Sequence, residues 1–253
     1  MMKVLFESSD GVAVITINRP SQRNAVDLEV ASGIAAAVDE FDARADLTVA
    51  ILTGAGGTFC AGLDLKAFTR GEIPVLPDRG FGGLTERPPR KPLIAAVEGW
   101  AVAGGFELAL SADLIVAARD AKFGLPEVKR GLVAGAGGLL RLPKVLPYQL
   151  AMELALTGDP LPAETAHRHG VVNALTEPGE ALAGARTLAA RVAANGPLAV
   201  VASKRLVGMS VGYTSAEAFA AQEEVVGPVL SSADALEGAR AFAEKRAPQW
   251  SGA

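Results

Sequence analysis

The chain has 253 residues, half of them apolar and only 5% aromatic, enough to bury a substantial core as one large domain or two small ones. A formal net charge of −4 with well-mixed signs argues against a nucleic-acid surface, and no apolar run reaches the roughly 20 residues that cross a bilayer. A single cysteine, Cys60, excludes an internal disulfide and fits a reducing compartment, and the first ten residues lack the layout of a signal peptide, so the expectation is a soluble cytoplasmic protein with no membrane partner.

Residues 11–18 (GVAVITIN) alternate their side chains and are rich in β-branched types, which predicts a strand. Asp27 can cap the next segment, where Leu28, Ile34, Ala35, Val38 and Phe41 recur at helical spacing. Short apolar runs at 48–52, 93–97 and 114–117 predict buried strands. Residues 101–111 are glycine-rich at first and helix-compatible from Phe106 onward. Between 69 and 92, five prolines and four glycines interrupt any periodicity, the signature of a functional loop or lid. Beyond Gly137 the pattern turns helical, at 139–145, 148–156, 163–169, 179–194, 198–207, 216–230 and 233–243, with only 171–175 extended. No regular repeat and no low-complexity linker divides the chain.

Two glycine-rich stretches each follow a predicted strand: GAGGTFCAGLDLK at 54–66 and EGWAVAGGFELAL at 98–110. Turns of this kind can present unpaired N–H groups at a helix N-terminus, where negative charge is favoured. Read singly, either stretch fits a tight turn or close packing as well. Glu107 lies among apolar neighbours in GGFELAL, and a surface position would put those neighbours in water. Glu127 follows Pro126 in FGLPEVKRG, which suits a first helical turn and equally a solvated charge there. Were the two carboxylates brought together, their titrations would split into an acid and a base near neutral pH.

These segments, taken in order, resemble the crotonase superfamily, the enoyl-CoA hydratase and isomerase family. The likeness runs through ITINRPSQRNAV, ILTGAGGTFCAGLDLK, PLIAAVEGWAVAGGFELALSADL, AKFGLPEVKRGLVAGAGG, LTGDPLPAETAHRHGVVN and FAEKRAPQW. The resemblance implies an α/β fold, the crotonase (ClpP/crotonase-like) spiral of repeated ββα units, over 1–195. A C-terminal helical trimerisation region then follows at 196–253 within the same functional unit. It puts the two oxyanion-hole N–H groups at Ala61 and Gly104 and makes Glu107 and Glu127 the catalytic pair of the hydratase branch. The implied reaction is reversible hydration of a trans-2-enoyl-CoA to a 3-hydroxyacyl-CoA, with a specialised dehydratase, a double-bond isomerase or a non-catalytic acyl-CoA-binding protein as alternatives. Its implied CoA contacts are Arg23, Ala25, Ala61, Gly62, Leu63, Asp64 and Leu65, with Lys245 or Arg246 reaching a CoA phosphate in a neighbouring subunit. The implied assembly is a homotrimer or a dimer of trimers, with no metal and no cofactor beyond the CoA of the substrate. Trp100 and Ala134 depart from the commoner family pattern and bear on chain-length preference.

Three further signals carry less. GAGG at 135–138 fails the spacing of a dinucleotide loop, because position 140 is leucine. His167 and His169 do not share a helix face, which disfavours a metal site. Cys60 has no histidine near it in sequence and reads as a buried, inert thiol.

Overall fold

The computed structural model describes residues 2–209 and 215–253. In chain order it begins with β1 (Val4–Ser9) and β2 (Val12–Ile17), an antiparallel hairpin, then α1 (Leu28–Ala43) and β3 (Val49–Gly54). Next come α2 (Leu65–Phe68), two short pieces β4 (Val75–Leu76) and β5 (Gly80–Phe81), then β6 (Leu93–Val97), β7 (Trp100–Val102) and α3 (Gly104–Ala109). β8 (Leu114–Ala118), β9 (Lys122–Gly124), α4 (Gly138–Val145), α5 (Tyr148–Thr157), β10 (Leu161–Pro162), α6 (Ala163–Arg168) and β11 (Ala174–Thr176) follow. Four helices close the chain: α7 (Ala181–Ala193), α8 (Pro197–Met209), α9 (Ser215–Leu230) and α10 (Ala233–Glu244).

The main sheet has the order β1-β2-β3-β6-β8-β11 and is parallel from β2 onward. Its central strands are buried on both faces, which is why they read as continuous apolar runs. Alternation still decides which face each residue serves. Val12 and Val14 meet α7 through Ala185 and Ala189, whereas Ala13, Ile15 and Ile17 join α1 in the larger core with Val30, Ile34 and Phe41. Small residues let α7 lie close: a Cβ on Gly184 would stand 2.5 Å from Thr176 Cγ2. A second sheet, β10-β9-β7, packs in the larger core, where the Phe106 and Phe123 rings meet at 5.1 Å.

This α/β architecture is the predicted one. Asp27 caps α1 by accepting from the Val30 N–H at 2.9 Å. Several elements depart from the sequence expectation. β1 was not anticipated, because an edge strand with an exposed end (ESS) has no clear alternation. α3 starts at Gly104 rather than Phe106, and β7 precedes it. No described helix is long and apolar enough to cross a membrane.

Candidate active site

The site grows from two loops that leave neighbouring parallel strands. β3 and β6 are paired through residues 50–53 and 93–96, and the chain continues past both C-terminal ends into the two glycine-rich stretches. The stretches then pair with each other: the Cys60 N–H donates to Trp100 O (3.0 Å) and the Val102 N–H to Cys60 O (3.1 Å). Glycines leave room here that a side chain would fill. A Cβ on Gly105 would lie 2.1 Å from Cys60 O, and one on Gly104 would lie 2.4 Å from the Phe81 ring.

Which N–H groups remain for a ligand is decided by hydrogen-bond register. The Ala61 N–H donates to Arg23 O at 3.0 Å, so Ala61 is not an available donor, contrary to the sequence expectation. One step along, the Val26 N–H donates to Gly62 O (2.8 Å) and the Asp64 N–H to Val26 O (3.0 Å). That bridge flanks Leu63 and turns its own N–H to the opposite side. Among the described residues no acceptor is recorded for the Leu63 N–H, and Leu63 lines the cavity. Gly104, the first residue of α3, has no acceptor inside its helix. The two backbones touch: a Cβ on Gly62 would stand 2.9 Å from the Gly104 nitrogen. Leu63 and Gly104, rather than Ala61 and Gly104, therefore offer the paired donors. The signal was present in the sequence as the apolar residue after Gly62, but register is a tertiary fact.

Glu107 stands on the first turn of α3, only 3% exposed. Its Oε1 accepts from the N–H groups of Ala136 (2.8 Å) and Gly138 (2.9 Å) at the start of α4. A Cβ on Gly138 would come within 2.8 Å of Glu107 Cγ, so the glycine-rich run set aside as a failed nucleotide loop is the cradle of this carboxylate. Burial pushes the Glu107 carboxyl up, against the pull of those two N–H groups and of Arg141. Arg141 is itself anchored, donating to Thr85 O and to Ala136 O (3.4 Å).

Glu127 sits in a 3₁₀ turn, Pro126–Arg130, with proline at its start as expected. Burial, reinforced by Glu107 and opposed by its own backbone N–H and Arg130, pushes its carboxyl up to about 7. Its Oε2 is buried and has no hydrogen-bond partner among the described residues. Such an atom is costly unless protonated or met by a ligand.

Both glutamates, Leu63 and Gly104 line one cavity of about 910 Å³. Of the expected CoA contacts, Arg23, Ala25, Ala61, Leu63, Asp64 and Leu65 line it as well. Gly62 lies beneath, its N–H on Cys60 Sγ at 3.3 Å. Asp64 caps α2 and pairs with Arg19 at 3.0 Å, so its side chain has a structural task. Lys245 ends α10 and is not part of the lining, and Arg246 is engaged by Glu237 and Glu244. The proline-rich segment, expected as a functional loop, does line the cavity through Ile73, Pro74, Val75 and Phe81; the sequence singled out none of these residues individually, nor Glu86 and Arg130. Trp100 does not line the cavity; it is 43% exposed, with the Lys122 ammonium 5.1 Å from its ring centre. Cys60 is fully buried and burial pushes its thiol up to about 12, which leaves it inert. His167 bonds Val172 O through Nδ1 at 2.8 Å.

Comparison with known proteins decides the family. The enoyl-CoA hydratase/isomerase family model matches residues 7–253. The chain belongs to that family. Within the crotonase superfamily it is similar to an enoyl-CoA hydratase of Mycobacterium tuberculosis H37Rv, at 62% identity over the whole of both chains with a TM-score of 0.98. It is also similar to a carnitinyl-CoA dehydratase of Salmonella arizonae, at 46% identity over 94% of each chain. A carnitinyl-CoA hydratase of Mycobacterium avium is 44% identical over both full chains, with a TM-score of 0.80. These likenesses make the protein a hydro-lyase of the crotonase type.

Proposed function

We propose that this crotonase-superfamily protein adds water across the C2–C3 double bond of a trans-2-enoyl-CoA, giving a 3-hydroxyacyl-CoA, and runs the reverse dehydration on the same groups. The observation that carries the reading is the chemical inequality of two glutamates in one cavity. Glu107 Oε1 holds two N–H bonds, which favour its anion, whereas Glu127 Oε2 is buried and without a partner among the described residues, which favours its acid. One proton shared by the pair therefore rests on Glu127.

The thioester oxygen sits against the N–H groups of Leu63 and Gly104, which stabilise it as it becomes enolate-like and make C3 electrophilic. Glu107 takes a proton from water as the water oxygen bonds to C3. Glu127 gives its proton to C2, and the enolate collapses to the thioester. Two protons move between two carboxyls and the adding water, so the reaction as proposed calls on no redox group or metal. Relatives named as hydratases and as dehydratases are consistent with one path travelled in two directions.

The CoA portion lies along Arg23, Ala25 and the 61–65 backbone in this proposal, and Lys245 serves a neighbouring copy. Assembly as a trimer or a dimer of trimers is supported by Phe219, Leu230, Leu236 and Phe242, all exposed on α9 and α10. Cytoplasmic residence belongs to the same reading. Incubation with crotonyl-CoA in heavy water is the test. The proposal predicts a product heavier by one water, with deuterium fixed at C2; recovery of a double-bond isomer alone would reject it.

A further inference from the structure

The peptide that joins Gly62 to Leu63 does two things at once. Its N–H is the oxyanion donor assigned above, and its carbonyl accepts from the Val26 N–H at 2.8 Å. That second bond polarises the donor and fixes the plane in which it points. The next bond of the bridge, from the Asp64 N–H to Val26 O at 3.0 Å, holds the other side. Where the Leu63 N–H aims therefore depends on how firmly residues 25–27 are pressed against residues 62–64.

A single guanidinium supplies that pressure. Arg19 Nη1 donates to Ala25 O at 2.6 Å, and Nη2 lies 3.3 Å from Asp27 Oδ2, so both neighbours of Val26 are held. The same Nη2 donates to Asp64 Oδ2 at 3.0 Å, on the facing segment. Each carboxylate turns its other oxygen to a helix: Asp27 Oδ1 accepts from the Val30 N–H of α1, and Asp64 Oδ1 from the Lys66 and Ala67 N–H groups of α2. The clamp is thus rooted in the starts of two helices, and a planar fork of fixed donors suits it. The backbone of Arg19 is pinned as well. Its N–H donates to Oδ1 of the fully buried Asn24, whose amide donates to Ala55 O (2.8 Å) and Thr58 O (2.6 Å). The Arg19, Asp27 and Asp64 side chains are at most 13% exposed, so without the cation two poorly solvated carboxylates would face each other and part the bridge. Arg19 does not line the cavity, so it acts on a bound thioester only through the peptide it aligns.

We propose that Arg19 is a positioning residue: it clamps residues 25–27 to Asp64 and so aims the Leu63 N–H at the thioester oxygen. This rests on the oxyanion hole of the hydratase reading and deepens it.

The test is isotope-edited infrared spectroscopy of butanoyl-CoA labelled with carbon-13 at the carbonyl, a saturated, unreactive thioester whose carbonyl band reports hydrogen bonding directly. Bound to wild type, the band should lie below its frequency in free solution. Arg19→Gln should return it most of the way. The same variant should lower kcat for crotonyl-CoA hydration by about 10–10²-fold and change KM by less than about threefold, because the donor matters most in the transition state. Arg19→Lys keeps the charge without the fork and should fall between; it carries the test if Arg19→Gln does not fold. Lys3→Met removes another contact to Asp27, at 2.7 Å, but leaves Arg19 in place, and should leave both the band and kcat unchanged. An unmoved band in a folded Arg19 variant, or an equal shift in Lys3→Met, would overturn the inference while leaving hydration intact. A wild-type band no lower than that of the free thioester would overturn the oxyanion hole and the clamp together. An Arg19-dependent band in a protein that hydrates no enoyl-CoA would uphold the clamp and reject hydration.

Discussion

Replacing Glu127 with glutamine should stabilise the fold at alkaline pH and leave it unaltered in acid. The carboxyl moves from an ordinary 4.5 to about 7 on folding. Because the folded value is raised, below 4.5 both states hold the proton and no penalty exists. As pH rises from 4.5 to 7 the unfolded chain releases its proton first, so stability falls, and above 7 the penalty is constant. At about 1.4 kcal/mol per tenfold in proton affinity the upper bound is about 3 kcal/mol. The cavity is open to solvent, which screens the charge, so about 1–2 kcal/mol is the expected penalty at pH 8. Glutamine carries no charge and removes it. For a chain of this length each kcal/mol moves Tm by about 2–4 °C, so thermal unfolding of Glu127→Gln should come a few degrees above wild type at pH 8. The gain should vanish by pH 4.5. A variant no more stable than wild type at pH 8, or equally stabilised at both pH values, would refute the reasoning that burial raises this carboxyl.

Exchanging the Leu63 amide for an ester by semisynthesis removes one oxyanion donor and should lower kcat about 10²–10³-fold, whereas the same exchange at Ala61 should act chiefly on stability by losing the bond to Arg23 O. The pH profile of kcat/KM should be a bell in both directions, because the competent pair carries one proton, and its alkaline limb should lie near 7, where Glu127 loses that proton. Arg141→Met takes a cation from beside Glu107, which raises that carboxyl further, so the acid limb should move to higher pH and Arg141→Lys should restore part of the shift. Gly105→Ala sets a methyl 2.1 Å from a backbone carbonyl; circular dichroism and denaturant melts should show a loss of several kcal/mol or failure to fold.

Much of this site was legible in the chain, and its limits are physical. Glu107 stood out because apolar neighbours at 106 and 108 can be buried only by burying the carboxylate too, and both neighbours are fully buried. Pro126 announced the turn that carries Glu127. What local pattern could not reveal was register: that Ala61 bonds Arg23 while Leu63 faces the cavity depends on pairing between residues nearly forty positions apart. The GAGG run looked like a poor nucleotide loop, because its ligand is the protein's own Glu107, on another element. Residues 69–92 gave no periodicity, and their short β4–β5 hairpin supplies the cavity wall through loop geometry that local propensity does not encode.

The central claim, that two unequal glutamates hydrate an enoyl thioester, is tested most directly by following the conjugated thioester absorbance of a 2-enoyl-CoA series with wild type, Glu107→Gln and Glu127→Gln. The account predicts rapid loss with wild type and suppression of at least about 10²-fold by either substitution, because each carboxyl handles a different proton of the same reaction. Retention of near wild-type rates by either variant, or no loss of absorbance from thioesters that demonstrably bind, would contradict it.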